Sequence, residues 1–399
     1  MDHASTPTSK LGTPRQDSTK PPGSIPSKQI SDDDLYRAST QYRLWSFRPE
    51  QLRQIREELN LRVAKVVEQR VDQYKASHPE LLEEERTALE QMAVPLTADE
   101  ELKLVNFYAK KVRHFGNSLE LPTEVTATAI SFFRKFFLTN SVMELHPKNI
   151  LWTTIFLACK SENYFLGIDS FSKATTRKEL ILKYEYTLLE SLKFTLMNHH
   201  PYKALHGFFL DIQSVLKGKV DLDYMGLIYT SAKKKITDAL LTDAVYMYTP
   251  PQITLAVLAI EDEALITRYL ELKFPEQANA EQEQTQTDST NAPDPSPTKN
   301  VQDKGETSGT QKKPVPENAK QETDKEAMQF SLERLKKLIE DCQTIISRKE
   351  PVTRDEVTKI DEKLHYCLNP ALVLQRLKKK QSSVSVSPPE AKRQKLNER

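Results

Sequence analysis

Ten residues from Ile150 to Cys159 (ILWTTIFLAC) form the least polar helical stretch of the chain, and Lys160 follows directly. Pro147, just upstream, suits a first helical turn, where its missing N–H is not needed. Ile150, Leu151, Trp152, Ile155, Phe156 and Leu157 point in nearly every direction around such a helix. A helix apolar all round is buried on all sides, so this segment is expected at the centre of a bundle. Ala158 and Cys159 are small enough to admit close neighbours. A single ammonium then stands where the helix emerges, at the edge of a rigid core.

Composition removes many alternatives. The chain has 399 residues, 28% of them charged, with a formal net charge of +1. Near-neutral charge argues against a general nucleic-acid sleeve. The cysteines Cys159, Cys342 and Cys367 are far apart and odd in number, which fits no disulfide framework or cysteine-based zinc module and suits a reducing interior. The first residues have no apolar core of a secretory signal, and no run approaches the roughly 20 apolar residues of a membrane span. A soluble intracellular protein without membrane contact is therefore expected. Only 9 glycines occur, and they form neither G-x-G-x-x-G nor a P-loop. Kinase signatures, the G-x-S-x-G elbow and H-E-x-x-H are missing as well. No enzyme activity, cofactor or metal site is expected.

Periodicity predicts an all-α chain of two successive helical units. Residues 1–30, rich in Ser, Thr, Pro and Lys, are expected to be disordered. Residues 31–93 read as an N-terminal helical extension, with Leu52, Ile55, Leu59, Val63, Val66 and Val67 at helical spacing. The first unit spans 94–198. Thr97 and Glu100 form a capping-box pattern, and Pro122 opens a second helix carrying Val125, Ala129, Phe132, Phe133, Phe136 and Phe137. The buried helix is third, Ser170–Ala174 a short fourth, and Arg177–Lys193 a fifth. The second unit, 199–346, has helical patterns at Tyr202–Leu216, Asp223–Tyr248, Pro250–Ala264 and Ile266–Phe274. A disordered insertion is expected at 275–325, and the pattern resumes at Glu326–Ile346. Pro250–Pro251–x–Ile253 before LAVLAI echoes Pro147–x–x–Ile150, a weak repeat of roughly one hundred residues. One C-terminal helix is expected over 347–381, then a disordered basic tail at 382–399.

In the fifth helix Ile181, Leu188 and Leu192 lie within about 40° of one another, and Glu185 falls inside their stripe. A carboxylate there needs donors, since an unpaired buried charge is costly. Glu185 either sits at the wet margin of the stripe or pairs internally with Lys160, or the two lie together on the surface and clasp an outside partner. Lys160 also relieves the helix dipole, by about 0.3–1 kcal/mol. Glu261–Asp262–Glu263 oppose the dipole of the second unit's central helix, so either that helix continues or cations sit nearby.

Longer strings carry a resemblance. "FLACKSEN" closing the third helix and "YEYTLLESLKFTL" in the fifth look like a double cyclin box. "SDDDLYRASTQYRLWSF", "LVNFYAKKV", "PTEVTATAISFFRKFFLTNSVM", "NHHPYKALHGFFLDI" and "YTPPQITLAVLAIEDEALITRYLELKFP" resemble the cyclin H family, the cyclin subunits of the general transcription factor TFIIH, above all the fungal forms. The resemblance is strong over residues 31–275 and looser over 326–380. It implies tandem five-helix cyclin boxes with flanking helices that pack together. It also implies a non-catalytic subunit that binds the small lobe of a cyclin-dependent kinase beside its C helix and activates it.

By the same resemblance Lys160 and Glu185 match the lysine and glutamate that bind kinase main chain, with Tyr164, Phe165 and Phe171 as candidate anchors. The implied partners are the TFIIH kinase, a RING-finger assembly factor and the TFIIH core, without direct nucleic-acid contact. The implied outputs are phosphorylation of the RNA polymerase II repeat tail and activation of other cyclin-dependent kinases. "FFRKFF" carries Arg134 where cell-cycle cyclins have an aspartate. An internal Arg–Asp lock is therefore not expected, and Arg134 and Lys135 are placed on a solvated face. Thr6, Thr13, Ser296 and Ser387 precede prolines and are candidate phosphorylation sites. Lys378, Lys379 and Lys380 with Lys392, Arg393 and Lys395 resemble a bipartite nuclear import signal. A DNA-bridging factor of the TFIIB type is the alternative double-cyclin-fold reading; it would show a salt-sensitive gel shift.

Overall fold

The computed structural model describes residues 32–169, 171, 178–274, 317–348 and 353–384, all in helices and connections. Four helices precede the first unit: α1 (Asp32–Ala38), α2 (Thr40–Trp45), α3 (Pro49–Ser77) and α4 (Glu83–Met92). The first unit holds α5 (Ala98–Ser118), α6 (Thr123–Thr139), α7 (Pro147–Ser161) and α8 (Lys178–Ser191). The expected fourth helix, Ser170–Ala174, lies outside the described residues except for Phe171. The second unit holds α9 (Pro201–Leu216), α10 (Leu222–Ala239), α11 (Ala244–Met247), α12 (Pro250–Glu261), α13 (Glu263–Lys273) and α14 (Glu317–Ser347). Among the described residues two further helices follow, α15 (Arg354–Leu368) and α16 (Ala371–Val384).

Local chemistry sets the helix starts. Thr97 Oγ1 accepts from the Glu100 amide at 3.2 Å while Glu100 Oε2 accepts from the Thr97 amide at 2.8 Å, satisfying two donors that a helix start leaves open. Pro147 occupies the first turn of α7, and His146 Nδ1 accepts from the Lys148 amide at 3.1 Å. Pro250 opens α12 in the same way.

Both proline-opened helices are the hubs of their units. Helix α7 packs against α5, α6 and α8, and α12 against α9, α10, α13 and α14. Ile150, Ile155 and Ala158 are fully buried, as expected of a helix apolar all round. One continuous apolar core runs through both units. A second cluster joins Val71 of α3 and Leu89 of α4 to Tyr366, Val373 and Leu374 of α15 and α16. Lys103–Glu356 at 2.6 Å and Lys363–Glu100 at 2.8 Å clip α15 to α5.

Three boundaries differ from the sequence reading. Helix α14 begins at Glu317, inside the stretch expected to be an insertion at 275–325. That expectation rested on low apolar content, whereas ENAKQETDKEAMQ is rich in strong helix formers and free of proline. The single helix expected over 347–381 is two, because Pro370 cannot continue α15, and α16 runs on to Val384. The helix expected over Asp223–Tyr248 stops at Ala239. There Thr242 Oγ1 donates to the Ala239 carbonyl at 2.7 Å, and Arg134 Nη1 takes the Leu241 carbonyl at 2.7 Å.

The acidic triplet also has its account. Glu261 pairs with Lys235 of α10 at 2.9 Å. Asp262 belongs to the next helix: it caps α13 by accepting from the Leu265 amide at 2.9 Å and also accepts the Tyr224 hydroxyl at 2.7 Å.

Candidate functional site

Lys160 lies in the last turn of α7 and Glu185 in the middle of α8. The end of α7 is closed by its own backbone. Asn163 adopts φ 56°, and the Tyr164 amide donates to the Cys159 carbonyl at 2.8 Å, the left-handed closure common at helix C-termini. The Lys160 ammonium is thus not spent on capping. Its Nζ donates to Glu185 Oε1 at 2.6 Å and stands 4.5 Å from the centroid of the Phe156 ring. The side chains are 49% and 20% exposed, so the pair is a surface feature. A pair of this kind contributes about 0–1 kcal/mol to folding.

Exposed apolar side chains adjoin it in sequence and on the helix. Leu182 and Tyr186, three residues before and one after Glu185, are exposed on α8. The Tyr186 ring meets that of exposed Phe194 edge-on, with centroids 6.3 Å apart. Past the end of α7, Tyr164 is partly exposed and Phe165 is 89% exposed. Phe171 is different: it is 1% exposed and packs on Trp152 and Phe156, with centroids 5.8 and 5.6 Å away. It fills the core of the first unit and offers no surface to a partner. Leu182, Tyr186 and Phe194 were not singled out from the sequence; the i, i+4 spacing of Leu182 and Tyr186 beside Glu185 was the available signal.

Arg134 and Lys135 are not on a solvated face. Each is 3% exposed. Arg134 Nη2 donates to Asp243 Oδ1 at 2.7 Å, and Nη1 donates to Asn106 Oδ1 and the Leu241 carbonyl, each at 2.7 Å. Arg56 of α3 holds both carboxylate oxygens of Asp243 at 2.8 Å. An Arg–Asp lock is present after all, with its aspartate supplied by the second unit, 109 residues away. Burial would raise the Asp243 carboxyl, but the hydrogen bonds from Arg56 and the two guanidinium charges hold it below the ordinary value.

Among the described residues, one group of side chains has the composition of a metal site: His146, Asp361 and His365. His146 Nδ1 already accepts the Lys148 amide, so its other nitrogen, Nε2, carries the proton that Asp361 Oδ1 accepts at 3.1 Å. That leaves no lone pair on His146, and the Lys148 ammonium lies 3.6 Å from Asp361 Oδ2. The cluster is a hydrogen-bonded clip between the first unit and α15. Ser296, Ser387, Thr6, Thr13, Lys392, Arg393 and Lys395 lie outside the described residues; Lys378 and Lys379 are exposed on α16, which also includes Lys380.

Two stacked helical units, each built around a proline-opened buried helix, with a Lys–Glu pair at the rim of the first, define a cyclin. The description "Cyclin, N-terminal domain" matches residues 73–197 and "Cyclin C-terminal domain" residues 200–347. The chain belongs to the cyclin family. It is similar to Cyclin CCL1 of Saccharomyces cerevisiae, with 61% identity over 267 residues, covering 67% of each chain. Among solved structures it is similar to a chain of the yeast TFIIK (Kin28/Ccl1/Tfb3) complex, at 46% identity and a TM-score of 0.53, covering 78% of this chain and 100% of that one. It is also similar to a chain of the Chaetomium thermophilum CAK complex bound to ATP-gamma-S, at 26% identity and a TM-score of 0.63, covering 91% and 99%.

Proposed function

We propose that this chain is the non-catalytic cyclin of a TFIIH-type kinase: it binds the small lobe of a cyclin-dependent kinase and stabilises the active, inward position of the C helix. The observation that carries the reading is the solvent-reachable Lys160–Glu185 pair at 2.6 Å, set beside exposed Leu182, Tyr186, Phe194 and Phe165. The similarity to a chain of a complex named for Kin28, Ccl1 and Tfb3 supports the class of partner.

The energetics are adequate. Moving a kinase from 1:99 to 99:1 in favour of its active state takes about 5.5 kcal/mol of preferential binding. Charge-assisted hydrogen bonds from Lys160 and Glu185 to kinase main chain contribute about 1.5–3 kcal/mol each. The exposed apolar side chains contribute about 1.5–3 kcal/mol each on burial, less the cost of association. A rigid core beneath the pair keeps both groups in place, so little of this is lost to ordering.

By the same reading the complex contains a RING-finger assembly factor, joins the TFIIH core, acts in the nucleus, and phosphorylates the RNA polymerase II repeat tail and other cyclin-dependent kinases. The test is Lys160→Ala with Glu185→Ala. Kinase co-purification and activation should fall by at least tenfold, while helical circular dichroism and melting stay near those of the parent. A double variant that unfolds makes the pair structural; one that activates fully refutes the assignment.

A further inference from the structure

The junction between the two units encloses a cavity that the kinase-binding reading does not use. It is lined by Lys135, Arg134 and Ser131 of α6, by Asn198 and His200 of the connection, and by Trp45, which α2 lays across it. Its free space, about 30 Å³, holds one or two waters or a single halide and is too small for a nucleotide or a peptide side chain.

The charges around it do not balance. Arg56, Arg134 and Lys135 converge on the junction, and Asp243 is the carboxylate that meets the two arginines. No acidic residue lines the cavity among the described residues. Lys135 Nζ has one hydrogen-bond acceptor, Asn198 Oδ1 at 2.7 Å, which also accepts from Ser131 Oγ at 2.9 Å. The Trp45 ring, 5.4 Å from Nζ, supplies a weak cation–π contact. The Lys135 ammonium therefore keeps donors unspent beside this small cavity, an arrangement that is costly unless an anion completes it.

We infer that this cavity binds a single small monovalent anion of chloride size, held by the Lys135 ammonium, and that the ion cements the two units and the α2 strap. The neighbouring histidines do not compete for this role. Thr128 Oγ1 donates to Glu162 Oε1 at 2.6 Å, so it accepts from His200 Nε2 at 2.7 Å and His200 is the neutral Nε2–H tautomer. Burial, with Lys135, His199 and Lys203 nearby, pushes His200 down to about 3, and burial with the charges of Lys203 and Lys135 lowers His199 too. Burial pushes the Lys135 ammonium down to about 7. Proton and anion should therefore bind together, with the ion held more tightly at pH 6 than at pH 9.

The test uses the full chain, melted in sodium chloride, sodium bromide and sodium gluconate at constant ionic strength. Each tenfold rise in halide above its dissociation constant adds about 1.4 kcal/mol, so the melting temperature should climb by about 3 °C per decade in halide and not in gluconate. Lys135→Met should abolish the difference and the exposed control Lys234→Met should keep it. Because Lys135→Met can fail to fold, bromide-soaked crystals of the parent give a second measurement: an anomalous peak within about 4 Å of Lys135 Nζ, the contact range of an ion pair. Coincident halide and gluconate curves, an undiminished increment in Lys135→Met, or no bromide peak in the cavity would each overturn the inference.

Discussion

Replacing Asp243 by Asn removes the carboxylate that ties three separate parts of the chain together while keeping its shape. Asp243 accepts one hydrogen bond from Arg134 and two from Arg56, at 2.7 to 2.8 Å, linking α3, α6 and the turn before α11. Breaking a buried ion pair from one side costs about 3–5 kcal/mol, because the remaining charge stays desolvated. Arg134, 3% exposed, suffers this fully, although it keeps Asn106 and the Leu241 carbonyl. Arg56, at 18%, can recover some hydration. The lower end of the range, about 3 kcal/mol, follows, and with it a fall in melting temperature of about 6–12 °C. Thermal and urea unfolding followed by circular dichroism measure it. The acid limb should change as well. Asp243 has a lowered folded value, so its contribution is present above the ordinary aspartate range and disappears as pH falls through the folded value. Asp243→Asn should remove that part of the acid-induced loss. A change below about 1 kcal/mol at neutral pH would show that the lock does not hold the two units, and the burial argument would fail with it.

Further predictions separate core from docking surface and test the C-terminal clip. Phe171→Ala should cost about 3–5 kcal/mol of stability, as for buried aromatics, whereas Phe165→Ala should stay within about 0.5 kcal/mol yet weaken kinase binding in a pull-down titration. Equal stability losses in the two variants would contradict the assignment. Asp361 is raised by burial, but the hydrogen bonds from His146 and the Tyr108 hydroxyl, with the Lys148 charge, bring it to about 2. Its stabilising contribution should be complete above pH 4 and fade as pH falls toward 2; a parent and an Asp361→Asn variant with parallel acid unfolding curves would disprove it.

Much of the fold follows from local patterns that need no knowledge of distant residues. Apolar residues all round Ile150–Cys159 require a central helix, and Pro147 and Pro250 mark the starts of the two hubs. Thr97 and Glu100 satisfy each other within one turn. Lys160 and Glu185 were legible as a candidate pair because two adjacent helices of one unit carry them, and the resemblance to cyclins supplied a role. The limits of local reading appear at α14, where backbone propensity outweighed sparse apolar content, and at Phe171, where an aromatic near the rim turned inward.

The sequence alone determined the all-α class and the two hubs, since these depend on periodicity and on prolines and caps spanning three or four residues. Only the tertiary structure decided the fate of Arg134 and Lys135. Whether a cation is buried depends on what approaches it from elsewhere, and the carboxylate, carbonyl and amides that meet these two come from 28 to 109 residues away. A window along the chain sees the charge but not its partner, because burial is a property of the assembled junction.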